Sequence, residues 1–433
     1  MVELGLLTQC KEDYDTKLIT YNKMQNYYDG ITDALENYKM VTNRANNKVS
    51  HNMIQKFVVE EASYVCGNKI TYSSFSANKN VIEDIRVSTA HWSEKHDKNV
   101  CKQGLIFSES YELFYTSEID GLIHSMVCTP KDSYLLQDDF GNVTLFIRFY
   151  QKQFNTEDVF ADVYDIEGVN HYIVDGTDFT IDSTIPPKPN IFSKVPVAPC
   201  NMGSIYESIY NNIKGAQDGY ETVESDIVNE ISDFRSAYLK LTGTVLGHTT
   251  KEAQVAADLM KKQGIWELPI GGDAEWVIKN LNDTFVQNTL NTLKENMYEL
   301  TSHINHNDKL ASNTSSLALR NRLIGLEQKC INNVQAMQDS VKIRLGFIFE
   351  FLKITQRKEY LVSDIDIKLT VMIPSDDLMM AQILSQYPIS KKTGLKQFSF
   401  ITDSEAEIKQ LEEESKADSI GNDLINNTET IIK

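Results

Sequence analysis

From Leu319 to Leu352 an apolar residue returns every three or four positions without a break: Leu319, Leu323, Leu326, Cys330, Val334, Met337, Val341, Leu345, Ile348 and Leu352. That rhythm predicts one amphipathic helix of about 40 residues, with Ser315 or Ser316 as its capping hydroxyl. At helical rise it would reach roughly 60 Å, more than a compact domain needs, so the rest of the chain must be arranged along a spine. Two further helices share this character. Ile205, Ile209, Ile213, Ala216, Tyr220, Val223, Ile227, Ile231 and Phe234 recur at the helical period, and Val286, Leu290, Leu293, Met297, Leu300 and Ile304 form a narrow alternating seam of the kind that packs against neighbouring helices, in this chain or in another subunit. Gly215 and Gly219 each cost about 1 kcal/mol against alanine inside the first of these helices and mark a candidate bend.

The remaining texture is mixed. Helical spacing in the first 65 residues gives way at Gly67 to a strand. From about 104 to 182 aromatic and β-branched runs such as Leu145–Tyr150 and Val159–Tyr164 read as strands, with turns at Gly141-Asn142 and Asp175-Gly176. Pro186-Pro187-Lys188-Pro189 removes donors and disfavours helix, which predicts a domain boundary. Between about 239 and 283 a short helix near Lys251–Lys262 and a turn at Gly271-Gly272-Asp273, flanked by Trp266 and Trp276, predict a small separate lobe. Residues 305–315 are polar and read as a surface connection between helices. A β-like run at Ile365–Ile373 precedes Pro374, and short helical patterns with Glu405, Glu407, Glu412, Glu413 and Glu414 on a solvated face end the chain. The fold class expected is α+β.

Several functions are disfavoured. The formal net charge is −19, which argues against a protein that grips nucleic acid, since phosphate neutralisation needs Lys and Arg. An acidic wall past which a polyanion slides is compatible with it. Cys10, Cys66, Cys101, Cys128, Cys200 and Cys330 are scattered with no CxxC pair, so free buried thiols are expected rather than a zinc site or a disulfide framework. The pairs His91/His96 and His303/His306 do not form HExxH, and no phosphate-cradling glycine motif occurs, so no catalytic residue, metal or cofactor is expected. No run approaches the roughly 20 apolar residues of a membrane span and the first residues make a poor secretory signal, which predicts a chain that is intracellular when made.

Short motifs in a fixed order carry a family resemblance. They are Tyr27-Tyr28-Asp29-Gly30; Asn52 with Tyr64-Val65-Cys66-Gly67-Asn68-Lys69-Ile70; Lys194-Val195-Pro196-Val197; and Ser225-Asp226-Ile227-Val228-Asn229-Glu230. Further on come Asn313-Thr314-Ser315-Ser316-Leu317-Ala318-Leu319, in which Ser316 stands where a glycine is usual, then Ile389-Ser390-Lys391-Lys392-Thr393 and Asp403-Ser404-Glu405-Ala406-Glu407-Ile408. In this order, from about Tyr21 to Glu414, the chain resembles the portal proteins of tailed bacteriophages, in the family typified by the portal of Bacillus phage SPP1.

The resemblance implies a portal fold: an N-terminal α/β wing over 1–203, a stem helix over 204–236, a small α/β clip over 237–283, and a second stem helix over 284–303. A tunnel loop over 304–315, a long helix and wing strand over 316–373, and a helical crown with an acidic tail over 374–433 would follow. It implies a homo-oligomeric ring, usually of twelve copies, at one capsid vertex of the virion, through which double-stranded DNA is packaged and ejected. His306, Asn307, Asp308, Lys309, Ser312 and Asn313 would face the DNA. Trp266, Gly271, Gly272, Asp273 and Trp276 would dock the terminase large subunit and later the head-tail adaptor. Val286, Leu290, Leu293, Met297 and Leu300 would pack subunits together in the stem. Major capsid and scaffold proteins would be further partners, with assembly in the host cytoplasm and no membrane involved. The alternative is a helical scaffold or adaptor of a virion without DNA contact.

Overall fold

The computed structural model describes residues 2–39, 46–234, 238–243, 248–263, 270–277, 283–305, 316–371, 390, 394–395 and 407–414. Helices α1 (Leu4–Tyr28), α2 (Asp33–Asn37) and α3 (Met53–Val65) lead to strand β1 (Thr71–Ser74), then α4 (Lys79–Thr89) and α5 (His96–Phe107). Strands β2 (Glu109–Thr116), β3 (Ile123–Cys128), β4 (Ser133–Gln137), β5 (Val143–Lys152) and β6 (Asn155–Tyr164) follow, then β7 (Gly168–Asp175), β8 (Asp178–Ile181), β9 (Lys188–Pro189) and β10 (Val197–Asn201). Next come α6 (Ile209–Phe234), β11 (Tyr238–Thr242), α7 (Thr250–Gln263), β12 (Asp273–Val277), α8 (Asp283–Leu300), α9 (Ser316–Gln356) and β13 (Ile365–Lys368). The class is mixed α+β. Two units divide the chain: unit 1 holds Met1–Asp29, Ile54–Asn212 and Thr301–Lys433, and unit 2 holds Gly30–Met53 and Ile213–Leu300.

Unit 1 is layered. Strands β4 to β8 form an antiparallel meander in sequence order, with β9 added on β7. Period-two alternation sends Leu145, Ile147 and Phe149 of β5 to one face, where α1 covers them with Leu7, Cys10 and Tyr14. Phe146 points the other way, into a cluster with Tyr111, Leu113 and Cys128 of the β10-β2-β3 sheet. A third cluster joins α4, the end of α9 and the two-stranded β1–β13 sheet.

The spine is present as α9, 41 residues long. Its expected apolar stripe is buried at Leu326, Cys330, Met337, Val341, Leu345, Ile348 and Leu352. Towards its end Phe347, Phe349 and Phe351 are buried too, so the helix there is enclosed on most sides rather than along one seam. The proline cluster also differs from expectation. It lies inside unit 1, where Lys188–Pro189 pairs with Gly168–Val169; a Cβ on Gly168 would sit 2.2 Å from the Lys188 carbonyl oxygen, so only glycine admits this strap. A separate turn at Ile205–Glu207, whose capping box joins Ser204 and Glu207, precedes α6, which runs unbroken through Gly215 and Gly219. In unit 2, β11 and β12 pair antiparallel and flank α7 in the chain.

Candidate functional site

On α6 the buried side chains include Gln217, Glu221, Ser225 and Asn229, spaced by four and so aligned on one face. Buried polar groups need partners, and Glu221, Ser225 and Asn229 find them on the main chain of the segment before α3, while Gln217 donates to Glu221. Asn229 Oδ1 accepts from the Asn47 N–H at 2.7 Å while its Nδ2 donates to the Asn47 carbonyl at 2.8 Å. Ser225 Oγ accepts from the Val49 N–H at 3.0 Å, and Glu221 Oε1 from the His51 N–H at 2.9 Å. Alternate residues of an extended chain are spaced about 6.6 Å and helix positions four apart about 6 Å, so the two rows stay in register over three rungs.

Neighbouring side chains complete the clasp. Thr32 donates to Glu221 Oε2 at 2.6 Å, Tyr38 donates to Asp226 Oδ1 at 2.7 Å, and His51 pairs with Glu224 while meeting Tyr220 edge to face. The Ser225-Asp226 and Asn229 positions of the α6 motif are thus the ones that hold the arm. Gly30, at φ +81°, begins that arm and faces Asn52, so two of the other motif positions adjoin the clasp. Sequence reasoning quoted these motifs without their role. The available signal was the spacing by four of Gln217, Glu221, Ser225 and Asn229, which is no different from that of a solvated polar face on a helix rich in polar residues.

The positions expected to line a subunit seam divide in the single chain. On α8, Leu290 and Met297 are buried, Val286 and Leu293 half-buried and Leu300 exposed, with Leu293 lying 3.8 Å from where a Cβ on Gly219 would be. In the lobe, Gly271 adopts φ +88° at the start of β12, Gly272 follows, and Asp273 is exposed. Trp276 lies on β12 opposite Leu239. Trp266 lies outside the described residues, as do His306, Asn307, Asp308, Lys309, Ser312 and Asn313.

The residues just before the 304–315 loop belong to a buried polar joint in unit 1, which Lys329 and Asn333 from within α9 also enter. His303, stacked on Phe57, has Nδ1 3.0 Å from the Thr301 carbonyl and Nε2 3.2 Å from that of Phe57. Burial, and then Lys329, push its imidazole down to about 3, so it is neutral. Glu61 on α3 receives Lys329 and Asn333 of α9. Burial raises its carboxyl above the ordinary value, and those two donors offset this only in part. Among the described residues no group of three or more His, Cys, Asp or Glu is placed to hold a metal, and the six cysteines are free. Among them too, no helix is long and apolar enough to cross a membrane.

The profile of the family described as "Phage portal protein, SPP1 Gp6-like" matches residues 7–420, nearly the whole chain. The chain belongs to the phage portal protein family. Portal proteins are structural, non-enzymatic parts of virions, and that is the class to which this one is assigned. Comparison with curated proteins finds no match. Among solved structures, a chain of the virion of a native gene transfer agent particle is similar with a TM-score of 0.49 and 10% identity, over 87% of this portal chain and 91% of the other. A chain of the neck of an empty gene transfer agent particle is similar with a TM-score of 0.47 and 10% identity, over 84% and 90%. Likeness this loose adds no argument to the family match.

Proposed function

We propose that this portal-family chain is one subunit of a ring, of about twelve copies, at a capsid vertex, through which double-stranded DNA passes during packaging and ejection. The observation that supports it best is the set of apolar side chains left exposed on the helices of unit 2. There α6 covers its polar stripe, while Val228, Ile231, Val255, Leu259, Phe285 and Leu300 stay exposed on α6, α7 and α8. Apolar side chains left bare on several helices of one unit suit a surface that further copies cover. In this reading the wing, stem, clip, tunnel loop, long helix and crown take the spans that the family resemblance implies.

The loop at 304–315 would meet DNA through His306, Asn307, Asp308, Lys309, Ser312 and Asn313, groups whose polar contacts form and break at little cost. The net charge of −19 per chain would keep the wall from holding the duplex. The clip, with Trp266, Gly271, Gly272, Asp273 and Trp276, would dock the terminase large subunit, which supplies the ATPase, and afterwards the head-tail adaptor. Capsid and scaffold proteins would surround the wing, and assembly would take place in the host cytoplasm.

Cryo-electron microscopy of the purified chain tests this: closed rings with an open axial channel are expected, and monomers or closed dimers at every salt concentration would sink it. Because like charges must be brought together, ring yield should rise from low to moderate ionic strength.

A further inference from the structure

We infer that one end of the β4–β8 sheet is a docking edge for a basic protein other than this chain, whose apolar sockets receive Ile119, Phe140 and Ile166. The inference rests on the reading of the chain as a particle subunit and adds a surface and a partner chemistry to it. Ile119 is 99% exposed, Phe140 91% and Ile166 64%. Singly, exposed apolar residues are ordinary; these three are neighbours. The β4–β5 turn with Phe140 and the β6–β7 turn with Ile166 leave the same end of one antiparallel sheet as adjacent hairpins, whose axes are two strand spacings or about 10 Å apart. The β2–β3 turn with Ile119 is tied to that end by Glu118, which pairs at 2.6 Å with Lys188 of the strap on β7.

Each tip is held before any partner arrives. Asp138 accepts from the N–H groups of Phe140 and Asn142 at 2.9 and 2.8 Å, Asp165 from those of Glu167 and Gly168 at 2.8 and 2.9 Å, and Ser117 and Asp120 from those of Ile119 and Leu122 at 3.2 and 3.0 Å. An apolar group displayed on a fixed turn loses little further freedom on binding, which is the requirement for an anchor.

Charge selects the partner. The tips read Glu118-Ile119-Asp120, Asp138-Asp139-Phe140 and Asp165-Ile166-Glu167, six carboxylates of which Glu118 meets Lys188, Asp120 meets His124 and Glu167 meets the amino terminus, leaving an acidic excess. Phosphates are repelled from such an edge, so DNA is not its ligand. A second copy of a chain at −19 is also a poor complement, whereas Lys and Arg around an apolar socket would answer both features.

The test places the photo-crosslinking residue p-benzoylphenylalanine at position 140 of the full chain, in cells where particles form, with mass spectrometry of the adducts. Crosslinks to one particle or assembly protein, at a peptide rich in Lys or Arg, are expected. Adducts confined to a second copy or to DNA, or none while a crosslinker at the exposed Phe285 reacts, would overturn the inference. In parallel, the triple variant Ile119→Ser, Phe140→Ser, Ile166→Ser should enter particles at least about tenfold less often, and Asp139→Lys about threefold less, with the oligomer mass of the purified protein unchanged. Incorporation at the parental level refutes the edge, and so does a change of oligomer mass, since the tips would then belong to contacts between copies. Failure of the purified parent to form rings would instead refute the proposed function.

Discussion

Units 1 and 2 both bury polar side chains, but in different currencies of interaction. In unit 1, Arg344 of α9 is 2% exposed and meets the fully buried Glu112 of β2 through two charge-assisted hydrogen bonds, with Asp97 of α5 at 2.7 Å and the Trp92 ring 5.6 Å away. One ion cluster therefore fastens α9 to two consecutive elements much earlier in the chain, α5 and β2. In unit 2, α6 takes hold of an arm by its main chain, with neutral Asn and Ser and a single carboxylate. The ion cluster is strong only while every member is present, because desolvation penalises any charge left alone. Hydrogen bonds to main chain are individually modest and locally separable. Unit 1 should behave as one cooperative block and the arm of unit 2 as a part that can loosen by itself.

The largest test of this contrast is Arg344→Met, which strands Glu112 in the core. It should cost about 3–5 kcal/mol in denaturant unfolding, whereas Arg344→Met combined with Glu112→Leu should recover much of it. A loss below about 1 kcal/mol in the single variant would remove the distinction between the units. Acid probes the same cluster. Burial pushes the Glu112 carboxyl up, but Arg344 and His96 outweigh this and hold it at about 2. A depressed folded value means stabilisation that is fully present above the unfolded carboxylate range and lost as pH falls from about 4.5 towards 2. Glu61, with its raised value, carries the opposite sign: its contribution favours the fold at low pH and is lost as pH rises through that value. The acid slope of unfolding should flatten in Glu112→Gln and persist in Glu61→Gln.

A smaller effect is expected in unit 2. Asn229→Ala leaves the Asn47 N–H and carbonyl without partners and should cost about 1–3 kcal/mol. Amide hydrogen exchange is the sharper reading: Asn47, Val49 and His51 should exchange faster while the β4–β8 amides stay protected. Equal acceleration in both places would mean that the arm is not separable. The smallest change belongs to His51→Ala, which removes a half-exposed pair with Glu224 and should shift stability by less than about 1 kcal/mol.

Regular periodicity made much of the fold legible. The stripe from Leu326 to Leu352, the strands around Phe146 and Phe160 and the helix of the small lobe all stand where apolar spacing places them. The candidate site was legible only in pieces. Tyr27 to Gly30, Ser225 and Asn229 could be quoted as a family signature, yet nothing in the order of residues says that Asn229 reads the main chain of Asn47, 182 positions away. A polar stripe on a helix looks the same whether water or another segment satisfies it. Pro186 to Pro189 misled for a related reason, since proline forbids helix and interior strand but tolerates a short edge pairing such as the one on Gly168 and Val169.

By itself, then, the order of residues determined where helices and strands form, because local periodicity and turn chemistry act over a few residues, and it determined the family, because a series of short motifs survives in sequence. Tertiary structure alone decided which polar groups are partners, which face of α9 is enclosed, and which turns share an edge. Those outcomes depend on long-range packing and on desolvation, and neither is written in any local stretch of the chain.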